Sequence, residues 1–229
     1  MSGLTDFQAE VARLFFSLPA ADGFLLAGGG ALLASGLTTR PTEDLDFFGE
    51  RGRSDVAAVR RQLEAAAFAR GWKVTPIHVS DSFARVHVQG EADVLVDIAI
   101  DVAAGHPPVV SIVGPTFAPE ELAGRKLVAL FDRAEARDFA DVFVLVKRFG
   151  RQELLDRAAE IDRGFDTGVL AVMMRGLDRF TDEEIPADDA SAPELRTFFV
   201  AWADDLERTS AQPRRSVGEE QYRSVEDRP

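Results

Sequence analysis

No cysteine occurs among the 229 residues, which excludes disulfides and thiolate metal sites and points to a cytoplasmic protein. Lysine is nearly as scarce. Only Lys73, Lys126 and Lys147 interrupt an otherwise all-arginine set of 26 basic residues, so each of them stands out. Positive charge is in deficit overall, with 39 acidic residues and a net charge of −13. Phosphate backbones demand a basic face, so general nucleic-acid affinity is excluded and any such contact must come from a local patch, for which Arg51, Arg53, Arg60, Arg61 and Arg70 are candidates. Long apolar runs are absent too. Nothing approaches the ~18 uncharged residues needed to span a bilayer, and the opening MSGLTDFQAEVARLFF carries acids where a signal peptide would need a basic region and an apolar core.

What is present is organised around residues 24–50, FLLAGGGALLASGLTTRPTEDLDFFGE. Phe24 to Ala27 reads as a short buried strand, Gly28-Gly29-Gly30 as a turn, Ala31 to Ser35 as a helix, and Asp44 to Phe48 as a second strand. Side chains on a strand alternate faces, so Asp44 and Asp46 project the same way, about 6 to 7 Å apart. Two carboxylates so close raise one another's pKa unless positive charge lies between them. A hard divalent cation such as Mg2+ relieves that repulsion and leaves room for substrate phosphates. The glycines allow backbone N–H groups to approach a phosphate closely. Other chemistries fit less well. Arg40-Pro41-Thr42-Glu43 precedes the Asp pair where a phosphatase-type site would have an apolar strand, and the dinucleotide fingerprint fails because position 33 is Leu. The order strand, Gly-Gly, helix, Asp-x-Asp strand resembles the nucleotidyltransferase superfamily.

The rest of the chain alternates cleanly. Leu4, Phe7, Val11, Leu14, Phe15 and Leu18 have helical spacing, and Ser54 or Asp55 caps a helix to about Arg70 with Val56, Val59, Leu63 and Phe68 inward. Residues 72–79, 82–89 and 92–102 read as three strands. On the last, Val94, Val96, Ile98, Ile100 and Val102 share one face, and Asp93, Leu95, Asp97, Ala99 and Asp101 the other. A mid-strand acid among apolar neighbours is costly unless paired or metal-bound, or the strand is a solvated edge. Strand periodicity gives way to helical periodicity near residue 117. Helices are expected over 122–133, 137–149, 151–163, 167–179 and 194–208, with an acidic linker at 181–193 and an aperiodic, disordered tail over 209–229. The organisation expected is therefore α+β: a mixed sheet flanked by helices over 1–117, and a helical region over 118–208 that completes the active site.

A second signature lies in that helical region. Leu122, Lys126, Ala129 and Arg133 form one helical stripe, which puts two basic groups where a triphosphate could be held beside an acidic metal cluster. Arg137-Asp138-Phe139-Ala140-Asp141 follows on the next helix. Together with Gly28-Gly29-Gly30 and Arg40-Pro41-Thr42-Glu43-Asp44-Leu45-Asp46, the set resembles the AbiEii/AbiGii family of nucleotidyltransferase toxins from bacterial toxin–antitoxin systems. Gly30 departs from that pattern, where a hydroxyl residue is common. The resemblance implies a nucleotidyltransferase fold and Mg2+-dependent transfer of NMP from an NTP to the 3′ end of tRNA, with a cognate antitoxin as partner. It also implies site roles: Asp44 and Asp46 as metal ligands with Asp97, or second Asp101, as the third; Gly28, Gly29 and Thr42 on the phosphates; Lys126 and Arg40 on the triphosphate; and Asp138 orienting Lys126 or handling the acceptor's proton. Two alternatives keep the fold. One is a small-molecule transferase acting on a cationic acceptor such as an aminoglycoside, which the −13 charge favours. The other is a non-catalytic binding module.

Overall fold

The computed structural model describes residues 3–186 and 191–211. Positions 187–190 of the acidic linker and 212–229 of the tail lie outside the described residues. Helix α1 (Asp6–Phe16) opens with a reciprocal capping box between Thr5 and Gln8, which satisfies two of the N–H groups a helix start leaves orphaned. The chain then forms β1 (Phe24–Ala27), α2 (Gly28–Ala34) and β2 (Asp44–Glu50). Helix α3 (Val56–Phe68) follows, capped by Asp55. Strands β3 (Lys73–Val79), β4 (Phe83–Gln89) and β5 (Asp93–Asp101) come next, then the short β6 (Val109–Val110) and β7 (Pro115–Thr116). The remaining helices are α4 (Pro119–Asp132), α5 (Ala136–Phe149), α6 (Arg151–Ile161), α7 (Thr167–Arg175), extended by a 3-10 turn to Arg179, and α8 (Ala192–Ala211).

The strands make one mixed seven-stranded sheet in the order β3-β4-β5-β2-β1-β7-β6. Strands β2 and β5 pair in parallel, and β1 and β2 antiparallel, so the Asp-x-Asp strand sits in the middle of the sheet. Alternation decides what each face does. Leu45 and Phe47 point to the helix-covered side and are fully buried, while Asp44, Asp46 and Phe48 point to the other. Phe47 stacks on Phe15 of α1 with centroids 3.8 Å apart and planes at 8°, and Phe24 meets Phe15 edge-on. Aromatic pairs of this kind contribute about 0.5–1.5 kcal/mol beyond their burial, so α1 is held tightly to the back of the strands that carry the acids.

The opposite side is covered by helices. Helix α4 packs against α5, α6 and α7, and α8 closes the layer through Phe199 against Phe139 of α5. Gly150, at φ 85°, turns the chain between α5 and α6, a conformation that glycine adopts without strain.

Two positions depart from the periodicity that predicts them inward. Phe68 is 82% exposed because Ala67, one residue earlier, takes the inward place after Leu63 and is itself fully buried. Val102 lies beyond the last residue of β5 and is exposed rather than part of its apolar face. No helix of the described residues is long and apolar enough to cross a membrane.

Candidate functional site

The cleft between the sheet and helices α4 and α5 has a volume of about 220 Å³ and draws its walls from both. Six bases line it, namely Arg40, Arg85, Arg125, Lys126, Arg133 and Arg137, against four acids, Asp44, Asp46, Asp97 and Asp132. In a chain that is strongly acidic overall, bases thus outnumber acids along this lining.

The floor is built by register. Asp46 of β2 pairs with Ala27 on one side and Asp97 on the other, and Asp97 in turn pairs with Arg85 of β4. Gly28 follows Ala27 at φ 59°, and a Cβ there would fall 1.8 Å from Asp46 Oδ2. Gly29 is equally confined, since a Cβ would stand 2.8 Å from Thr42 Oγ1. Bare backbone therefore lies directly over the aspartates. Thr42 donates a 2.7 Å hydrogen bond to Asp44 Oδ1, and its own carbonyl accepts one of 2.7 Å from Gln8 Nε2 of α1. Thus Gln8, buried in the first helix, pins the loop that orients the first aspartate.

The two aspartates differ electrostatically. Burial pushes Asp44 upward, but the Thr42 hydroxyl, Arg137 and Lys126 outweigh it, and its carboxyl stays below the ordinary range. Arg137 Nη1 lies 3.4 Å from Asp44 Oδ2. Asp46 is pushed up to about 7, first by burial and then by the Asp44 and Asp97 charges, which Lys126 and Arg137 only partly offset. Among the described residues no side chain donates a hydrogen bond to the Asp46 carboxylate. It is the under-compensated anion of the cleft.

Helix α5 supplies the counter-wall. Asp141 is fully buried, accepts a two-pronged pair of bonds from Arg40 Nε and Nη2, both 2.9 Å, and lies 2.8 Å from Lys126 Nζ. Burial raises Asp141, but Lys126 and Arg40 more than reverse it, so its carboxyl is held low. Asp138, also fully buried, takes Arg133 Nε and Nη2 at 3.0 and 3.1 Å and the Glu135 backbone N–H at 3.2 Å. Its distance to Lys126 Nζ is 3.7 Å. Asp141, more than Asp138, is the group that orients Lys126.

The structure gathers Gly28, Gly29, Arg40, Thr42, Asp44, Asp46, Asp97 and Lys126 around one cleft, with Asp138 immediately behind Lys126. Asp97 does stand beside Asp46, on an interior strand and not a solvated edge, but both its oxygens are engaged by Arg85 at 2.7 and 2.6 Å. Asp101 is not among the cleft residues and pairs with Arg125 at 2.8 Å. No cluster of three or more His, Asp or Glu side chains among the described residues is arranged to hold a metal ion. Sequence reading missed Arg85 and the Asp44 contact of Arg137. The first was accessible, because a hairpin centred on Glu91 sets residue 85 opposite residue 97.

A central Asp-x-Asp strand, a glycine-led helix start lying against it and a basic helical wall define a nucleotidyltransferase. The family model described as nucleotidyl transferase AbiEii toxin, type IV TA system, matches residues 12–217, and the chain belongs to that family. Its fold is also that of two solved structures. JHP933 from Helicobacter pylori is 21% identical with a TM-score of 0.52, covering 89% of this chain and 91% of that one. MenT4, a nucleotidyltransferase toxin from Mycobacterium tuberculosis H37Rv, is 14% identical with a TM-score of 0.56, covering 91% and 87%. No curated protein matches the sequence.

Proposed function

We propose that this toxin moves NMP from an NTP to the 3′ end of tRNA, with Mg2+ at Asp44 and Asp46, in the cytoplasm, and that the modified tRNA halts translation until the antitoxin intervenes. One observation carries the reading: Asp46, the uncompensated carboxylate, lies beside Asp44 and directly beneath the backbone of Gly28.

The donor set fits the ion. Mg2+ prefers hard oxygens and is commonly held by one or two carboxylates plus substrate phosphates, which matches the two aspartates side by side on β2, with Asp97 engaged by Arg85. When bound, it would neutralise phosphate charge and make the acceptor hydroxyl easier to deprotonate. The residues of the chain do the rest. Backbone N–H groups at Gly28 and Gly29 contact the β- and γ-phosphates, and the Thr42 hydroxyl, whose one proton goes to Asp44 here, would turn to them once Mg2+ holds that carboxylate. Lys126, fixed by Asp141, and Arg40 draw the triphosphate toward α4 and α5. The acceptor hydroxyl gives up its proton to solvent water as its oxygen attacks the α-phosphorus, the bond from that phosphorus to the bridging oxygen breaks, and pyrophosphate departs along the side held by those cations. Asp138, fully buried and engaged by Arg133, positions the basic wall and takes no part in proton transfer. On this reading residues 118–208 complete the active site begun by residues 1–117.

The overall charge of −13 favours a second reading, a small cationic acceptor. Incubating the protein with each α-labelled NTP, Mg2+ and total tRNA, and resolving the products on a denaturing gel, decides between them. Label in tRNA is expected. Label that enters an aminoglycoside instead, with none in tRNA, overturns the proposal.

A further inference from the structure

We propose that Arg85, held in place by Asp97, binds the phosphate backbone of a polynucleotide acceptor, and that Asp97 is its positioning residue and not a metal ligand. This rests on the nucleotidyl-transfer reading above.

The argument begins with the row Arg85, Asp97, Asp46, Ala27 across four neighbouring strands. Strands stand about 4.8 Å apart, so the backbone of Arg85 is about 10 Å from that of Asp46, on the side away from the glycine turn. The groups suited to the donor's phosphates all lie on the other side and touch one another in sequence. A Cβ on Gly29 would be 3.5 Å from Arg40 Nη2, Arg40 grips Asp141, and Asp141 grips Lys126. Attacking and leaving oxygens are roughly in line at a transferring phosphorus. With pyrophosphate leaving toward Gly29, Arg40 and Lys126, the incoming hydroxyl approaches over β5 and β4, where Arg85 is the base.

Arg85 also differs in kind from the donor-side cations. Its side chain is 42% exposed, against 11% for Arg40 and 9% for Lys126. A guanidinium has five N–H donors. Asp97 takes one from Nε and one from Nη2, and among the described residues nothing accepts the other three. The two-pronged clamp fixes the plane of the group and turns the unspent donors outward, the geometry that suits a phosphate's paired oxygens. Neutralising Asp97 needs no such exposure. The outward donors of Arg85 offer a cationic acceptor's ammonium groups nothing to bind, whereas a nucleic-acid backbone gains a contact that the chain's overall charge otherwise denies it.

The test compares the full-length wild type with Arg85→Ala, Arg85→Lys and Asp97→Asn. Arg85→Ala leaves the buried Asp97 without its partner, so circular dichroism and thermal melts confirm that each variant is folded at the assay temperature. Fluorescently labelled tRNA is titrated in EDTA without NTP at salt concentrations from about 50 to 200 mM. Arg85→Ala is expected to weaken binding about tenfold and to reduce the slope of log affinity against log salt by about one. Steady-state transfer should show KM for tRNA raised by a similar factor, with KM for NTP unchanged. Arg85→Lys recovers the salt slope, and Asp97→Asn shifts tRNA binding in the same direction as Arg85→Ala but less. If tRNA is labelled and Arg85→Ala binds it as the wild type does, the inference fails and the transfer reading stands. A rise in KM for NTP equal to that for tRNA would place Arg85 on the donor side and overturn it. So would Asp97→Asn losing Mn2+ affinity, measured by paramagnetic resonance, while tRNA affinity is retained. A wild type that neither binds nor labels tRNA defeats both proposals together.

Discussion

Arg40 and Asp141 stand 101 positions apart in the chain and meet through two parallel hydrogen bonds of 2.9 Å. The contact ties the loop before the Asp-x-Asp strand to the second helix of the basic wall, and Asp141 passes the constraint on to Lys126. Removing a buried partner leaves the other charges uncompensated, which typically costs about 3–5 kcal/mol. Asp141→Ala should therefore lower the urea midpoint by that much stability at an unchanged m-value, and Asp141→Asn by less. A loss below about 1 kcal/mol would mean that the pair is effectively solvated and does not brace the site.

Two glycines with nearly the same backbone conformation separate strain from collision. Gly36 has φ 64° and nothing within 4 Å of the place a methyl group would occupy, whereas Gly28 has φ 59° and Asp46 Oδ2 at 1.8 Å. Gly36→Ala should cost about 1–2 kcal/mol of stability through left-handed strain alone, with nucleotide transfer per folded molecule preserved. Gly28→Ala carries the same strain and also displaces the Asp46 carboxylate, the proposed metal ligand. Its transfer rate should fall by about 100-fold or more, since ångström-scale misplacement is enough for such a loss. Rate measurements normalised to folded protein test the contrast.

Protonation of Asp46 makes a signed prediction for metal-free protein. Its folded pKa, about 7, lies above the ordinary 3.8, so the folded state holds a proton more tightly than the unfolded chain. The resulting stability is complete below pH 3.8 and is lost as pH climbs through 7. In EDTA, wild-type Tm should decline relative to that of Asp46→Asn between about pH 4 and 8. Parallel Tm profiles for the two proteins would show that Asp46 titrates normally. Mg2+ competes with that proton, so its affinity for the wild type should rise from about pH 6 to 8.

Asp46→Ala should abolish transfer, by about 1000-fold or more, without unfolding the chain, because it removes charge and no core. Lys126→Ala should act differently: Arg40 still compensates Asp141 and Arg133 still compensates Asp138, so the fold survives while NTP affinity falls. Calorimetric titrations with NTP and with Mg2+ alone separate the roles. Equal NTP affinity in wild type and Lys126→Ala would remove Lys126 from the triphosphate site.

Strand–helix–strand order around Gly28 and Asp46 was legible because each piece is local and alternation fixes the face of the aspartates, but the glycines expected as a separate turn are the opening residues of α2, which begins directly after β1. Helix boundaries were also legible from caps such as Asp55 and stops such as Gly150. Phe68 was not, since a helix's last turn can present either of two adjacent residues inward and packing chose Ala67. Asp97 does lie beside Asp46, and the hairpin centred on Glu91 sets Arg85 opposite it, a cross-strand partner that reading each strand's faces by itself passes over. The Arg40–Asp141 pair was beyond reach, because no local periodicity encodes a contact between a loop and a helix 101 residues later.

That distance has a consequence for the cell that makes the protein. A nascent chain that has emerged only through residue 117 carries both Asp44 and Asp46 but neither Lys126 nor the Asp141 that aims it. Under the proposed roles the site is complete only once α5 has been made and has folded back over the loop. A message cut short before α5 is therefore expected to encode a chain without transfer activity.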